Sequence, residues 1–168
     1  ATVIPAIYAI PRSSQWCSGY REAMMAFICR RCYACFNIRI RVIGTPCESN
    51  HLAVPNHISW IDIVLLLGQK PYSFIAKSEV RGWPVFGSVS QATGTLFINR
   101  ESKFSVYRDL PKGQEILKRG QPLVVFPEGT TTMGDRLLHF YPMMYEVAVR
   151  EKAQVQPIAI RYLDEHGH

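Results

Sequence analysis

Short apolar runs recur along this chain, each followed by a polar turn and, in most cases, by a stretch with helical spacing. That order leaves few architectures open. Strands are expected at 52–54, 72–76, 95–98, 123–126 and 155–162, with helices near 60–67, 84–90, 104–119 and 142–152. Alternation of this kind predicts an α/β fold with a mainly parallel central sheet flanked by helices. Functional groups in such sheets lie in the loops beyond the carboxyl ends of the strands. Pro142 suits a first helical turn and Gly120 a helix stop. Pro111 sits inside its helical stretch, so a kink or split is expected there.

The chain has 168 residues, 48% of them hydrophobic and 19% charged, which is enough to bury one core and excludes a disordered chain. No repeat and no Pro/Gly/Ser-rich linker divides it. The net charge is +6, which favours an anionic partner. Nucleic acid is not expected, because no recognition motif, zinc-finger spacing or clustered basic helix accompanies the charge.

The N-terminal part reads as a helix over 13–36, carrying Tyr20, Met24, Phe27 and Ile28 ahead of Arg30 and Arg31. Ser13 or Ser14 would cap it. It is either an amphipathic helix packed on the domain or an interfacial helix with arginines at headgroup level. Residues 1–37 are therefore set apart as a helical, membrane-contacting segment, and 38–168 as the catalytic domain. No run reaches the 18 or so apolar residues of a membrane span. The start lacks Met and holds two prolines, and is read as a cut point in a longer chain. Residues 38–44 alternate apolar and basic side chains, which predicts a half-exposed strand.

The five cysteines all fall in the first third and are odd in number, a poor disulfide framework. Cys29, Cys32 and Cys35 have ligand-like spacing, but each step turns about 60° around a helix. Free thiols are the simpler reading, with no metal.

Three strand-following motifs carry candidate chemistry. After 52–54 comes Asn56-His57-Ile58-Ser59-Trp60-Ile61-Asp62. On one continuous helix His57 and Asp62 would sit about 140° apart. With His57 in the turn and Asp62 in the first helical turn, the carboxylate can instead reach one ring nitrogen. It would then fix the tautomer and leave the other nitrogen to take a hydroxyl proton. Ser59 and Asp62 also read as a capping box, and the two roles are compatible. After 123–126 comes Pro127-Glu128-Gly129-Thr130-Thr131-Thr132, a rigid turn that displays a carboxylate, amides and three hydroxyls able to hold a polyol or phosphate, or a plain capped turn. After 95–98 comes Arg100, placed to bind phosphate or to cap strand carbonyls.

Together these blocks resemble the glycerolipid acyltransferase family. Asn56, His57, Ser59 and Asp62 match its first block, with the His-x4-Asp spacing. Gly94, Phe97, Ile98 and Arg100 match its second, 126–130 its third, and the strand with Pro157 its fourth. The resemblance covers about residues 38–162. It implies transfer of a fatty acyl group from acyl-CoA or acyl-carrier protein to the hydroxyl of a lysophospholipid such as 1-acylglycerol-3-phosphate. By that resemblance His57 is the general base and Asp62 orients it. Arg100 binds the headgroup phosphate, while Asn56, Ser59, Glu128, Gly129 and Thr130 shape the acceptor site. No metal or cofactor is implied beyond the thioester co-substrate. A membrane surface is the expected partner, at the cytoplasmic face of the inner membrane in a bacterium. Thr131 stands where the family often has Arg, so another lyso-lipid, a lyso-aminolipid or a lysophospholipid with a larger headgroup, is an alternative acceptor. A non-catalytic lipid-binding module is the other alternative. Family members usually extend past both ends of this stretch.

Overall fold

A computed structural model describes residues 15–78, 93–98 and 103–164, with side chains at 19–76, 78, 93–98 and 107–164. In chain order the elements are α1 (Gln15–Cys35), β1 (His51–Pro55), α2 (Ile61–Gln69), β2 (Ser73–Lys77), β3 (Leu96–Ile98), α3 (Lys103–Lys118), β4 (Leu123–Val125), a 3-10 turn (Pro142–Tyr145), α4 (Glu146–Glu151) and β5 (Gln154–Ile158). The strands form one sheet in the order β3-β2-β4-β1-β5, and every pairing among the described residues is parallel. The α/β reading with helices on a parallel sheet holds.

Each central strand is buried on both faces, as the continuous apolar runs require. Leu52, Val54, Leu123 and Val125 point to one side, where Leu110 and Leu117 of α3 and Val147 of α4 cover them. Ala53, Val124 and Phe74 point to the other, under Leu66 and Leu67 of α2 and Met25 and Cys29 of α1. Met25, Cys29 and Tyr33 recur every fourth residue, which places them on one stripe of α1. Tyr33 Oη donates to the carbonyls of Val64 and Leu65 at 3.0 and 2.7 Å, and Arg30 Nε to that of Gly68 at 3.0 Å. On the opposite side of α1, Tyr20 and Phe27 stay exposed.

β4 inserts between β2 and β1, so the chain reverses direction across the sheet at this point. Leu52 pairs with Leu123 and Ala53 with Val124. The loops that leave β1 and β4 therefore emerge side by side, at the switch point where such sheets hold their ligands.

Several expectations need correction. Residues 38–44 form no strand. The chain just beyond them is tied to β5 by side chains: Gln156 Oε1 accepts the Cys47 amide at 3.1 Å, and Gln156 Nε2 donates to the Thr45 carbonyl at 3.3 Å. Those contacts replace a backbone ladder. The last strand ends at Ile158 rather than 162, because the Asn56 side chain takes both backbone groups of Ile160. Pro111 does not split α3, which runs unbroken. Pro111 is exposed, so water can replace the hydrogen bond its ring forgoes. The helix expected over 142–152 starts as a 3-10 turn and turns α-helical at Glu146. The helix expected at 84–90 and the capping serines Ser13 and Ser14 lie outside the described residues.

Candidate active site

β1 ends at Pro55, and the chain turns through Asn56 and His57 before α2 begins at Ile61. The turn folds back as the spacing allows: His57 Nδ1 lies 2.8 Å from Asp62 Oδ2. The same Oδ2 accepts the backbone N–H groups of Ile58 at 2.7 Å and Ser59 at 3.0 Å. Ser59 Oγ accepts the Ile61 N–H at 3.3 Å. Asp62 thus does two jobs at once: it closes the first turn of α2 and holds the imidazole. The positive end of α2 favours its charge.

Asp62 is fully buried. Burial pushes its carboxyl up, but the donors outweigh it: His57, Tyr162 and the amides of Ser59 and Ile58 hold it below the usual carboxylate range. Tyr162 Oη donates to Oδ1 at 2.5 Å. Burial and the adjacent carboxylate push that phenol well above its ordinary range, so it stays a donor.

The loop after β4 is clipped onto the first through the backbone of His57. Glu128 is buried and uses both oxygens: Oε1 accepts the His57 N–H at 3.2 Å and Oε2 the Leu138 N–H at 2.9 Å. The His57 carbonyl accepts the Thr132 N–H at 2.8 Å. Gly129 closes the turn onto the Phe126 carbonyl at 3.1 Å with φ of 72°, a backbone angle costly for other residues. Phe126 stacks on the imidazole, with ring centroids 3.8 Å apart. Nδ1 is engaged by Asp62, and the side chain is 17% exposed, which leaves Nε2 as the ring nitrogen not held by the carboxylate.

The structure brings together Asn56, His57, Ser59, Asp62, Glu128, Gly129 and Thr130. Asn56 turns its amide to Ile160, donating to the carbonyl at 3.1 Å and accepting the N–H at 2.7 Å. Asn56 and Glu128 therefore hold backbone, while Thr130 is exposed. Arg100 lies outside the described residues; β3, which precedes it, is in place at the sheet edge. Phe126 and Thr132 belong to the motif after the fourth strand, whereas Tyr162 was not singled out. Tyr162 fell inside the strand expected over 155–162, and only the end of β5 at Ile158 frees it to reach Asp62.

Cys29, Cys32 and Cys35 do not converge on one face: Cys29 is buried and Cys35 exposed. Burial, with Cys32 beside it, pushes the Cys29 thiol up to about 12, which leaves it inert.

The acyltransferase family's sequence profile matches residues 39–161. The chain belongs to the acyltransferase family. It is 41% identical over 116 residues to the 1-acyl-sn-glycerol-3-phosphate acyltransferase of Neisseria gonorrhoeae, covering 69% of this chain and 46% of that protein. It is 38% identical over 142 residues to the lyso-ornithine lipid O-acyltransferase of Pseudomonas aeruginosa, covering 84% of this chain and 55% of that one. The crystal structure of the 1-acyl-sn-glycerophosphate acyltransferase PlsC of Thermotoga maritima superposes with a TM-score of 0.71 at 27% identity, over 91% of this chain and 62% of that one. The chain spans about half the length of the curated relatives it matches. No helix among the described residues is long and apolar enough to cross a membrane.

Proposed function

We propose that this acyltransferase domain moves a fatty acyl group from an acyl thioester to the free hydroxyl of a lyso-lipid. The observation that carries the reading is the His57 Nδ1–Asp62 Oδ2 contact of 2.8 Å, set at the mouth of the sheet's switch point. Nε2 takes the acceptor hydroxyl's proton as that oxygen attacks the thioester carbonyl. Asp62 stabilises the imidazolium so formed. The tetrahedral intermediate collapses, the C–S bond breaks, and the leaving thiolate takes the proton back from Nε2. The reaction is redox-neutral, and the reading calls for no metal or cofactor.

The donor is acyl-CoA or acyl-carrier protein. Arg100 is assigned to the acceptor's phosphate, with Gly129 and Thr130 along the acceptor's path and Asn56, Ser59 and Glu128 fixing its walls. The first acceptor proposed is a lysophospholipid such as 1-acylglycerol-3-phosphate. Exposed Thr131, where the family often has Arg, favours a lyso-aminolipid as the second reading. Relatives named for each acceptor match this chain at similar identity.

Residues 1–37 are proposed to touch the membrane that supplies the acceptor, on its cytoplasmic face. Tyr20, Phe27 and Arg31 share the outward side of α1, and Phe36 meets Trp60 edge-on beside the site, with centroids 6.4 Å apart. Thiol release from long-chain acyl-CoA, measured with a panel of lyso-lipids in anionic vesicles, tests the reading. The acceptor that drives release identifies the substrate, and binding to vesicles without release from either acyl-CoA or acyl-carrier protein would favour a lipid-binding module.

A further inference from the structure

The proposed reaction uses one oxygen of Asp62. The other is held by a residue with no assigned role. Tyr162 Oη donates to Oδ1 at 2.5 Å, across 100 positions of sequence. The segment that carries Tyr162 has left the sheet, since β5 ends at Ile158. It is fixed by the two-way hydrogen bond between the Asn56 amide and the backbone of Ile160, at 3.1 and 2.7 Å. Asn56 directly precedes His57. One turn therefore carries the base and anchors the arm that brings the phenol.

We propose that Tyr162 is a positioning residue for the His57–Asp62 pair: its hydroxyl saturates Oδ1 and turns Oδ2 toward the imidazole. The terminal torsion of an aspartate is broad, so the side chain alone does not fix the carboxylate plane that aims an oxygen at His57. Three donors gather on Oδ2, namely the His57 ring and the amides of Ile58 and Ser59. Without Tyr162, Oδ1 would be buried with no donor, a costly state, while the three donors on Oδ2 stay in place. The hydroxyl also draws charge from the carboxylate. Its loss leaves more charge on Oδ2, which then grips the protonated imidazole more tightly. The phenol serves as a permanent donor because burial and the carboxylate keep it protonated.

This inference rests on His57 acting as the base. The test is Tyr162→Phe, which keeps the ring and removes only the hydroxyl, assayed beside His57→Ala. Tyr162→Phe is expected to lower kcat about tenfold, to leave the KM of both substrates within about twofold, and to move the acid limb of the kcat/KM profile to higher pH. Its melting temperature should fall by several degrees with the fold kept. An unchanged kcat with an unmoved acid limb overturns the proposal. So does a lower kcat with the acid limb fixed, because Tyr162 would then only brace the arm. If His57→Ala keeps full activity, the base assignment itself fails. If His57→Ala is inactive and Tyr162→Phe behaves as the parent, only the role of Tyr162 fails.

Discussion

The imidazole of His57 lies against the ring of Phe126, centroids 3.8 Å apart and planes 19° from parallel. The two residues follow neighbouring strands, so the stack is set by the pairing of β1 with β4. Phe126 fixes the plane of the ring, and Asp62 fixes its rotation. An aromatic pair of this kind is worth about 0.5–1.5 kcal/mol beyond its area. Phe126→Leu should therefore lower kcat by roughly two- to twelvefold with the acceptor KM little changed. Steady-state kinetics check this; an unchanged kcat means the stack does not restrain the base.

Asp62→Asn tests the orienting carboxylate twice. Turnover should fall by about 10²- to 10⁴-fold, because the amide cannot stabilise the imidazolium. Stability should also change its dependence on pH. An unfolded Asp titrates near 3.9, and Asp62 in the fold titrates lower. Its contribution is thus complete above about pH 5 and is lost as pH falls through the depressed folded value. Melting temperatures measured from pH 6 to pH 2.5 should drop more steeply in the parent than in Asp62→Asn. Parallel curves contradict the assignment.

Glu128→Gln keeps the shape but swaps one acceptor for a donor. Both carboxylate oxygens accept backbone N–H groups, of His57 and of Leu138, so one of those amides would face an NH2 group. The expected cost is about 1–3 kcal/mol of unfolding free energy, read from the denaturant midpoint. Activity should fall with it, since the two loops are clipped through His57. An unchanged midpoint excludes this role.

Gly68→Ala probes how α1 is seated. An added Cβ would lie 1.8 Å from Tyr33 Oη and 2.5 Å from Tyr33 Cζ. The Tyr33 hydroxyl is pinned to the carbonyls of Val64 and Leu65, so the ring has little room to yield. Overpacking of this sort costs about 1–3 kcal/mol. In a Tyr33→Ala background the same change should cost much less, and strict additivity would show that the close approach is not what sets this glycine.

The parts legible in the sequence are those whose chemistry is local. Apolar runs buried on both faces marked β1 and β4, and their following motifs held His57, Asp62 and Glu128. The fold-back of Asp62 was legible because the capping box and the imidazole contact use the same turn. What was missed depends on partners far along the chain. Alternation over 38–44 resembles a strand, yet a strand needs a ladder, and Gln156 satisfies the chain beyond it with side-chain groups. The end of β5 was misplaced for the same reason, as Asn56 takes the backbone of Ile160. The exit of the chain from the sheet at that point is what brings Tyr162 to Asp62, and no local pattern reports it.

The central claim is that His57 is the base for acyl transfer to a lyso-lipid hydroxyl. The most direct test is acceptor-dependent thiol release from long-chain acyl-CoA, by the parent and by His57→Ala at matched melting temperature. The parent should release thiol only when a lyso-lipid is present, and His57→Ala should be slower by about 10²- to 10⁴-fold. Equal release by the two proteins would contradict the account.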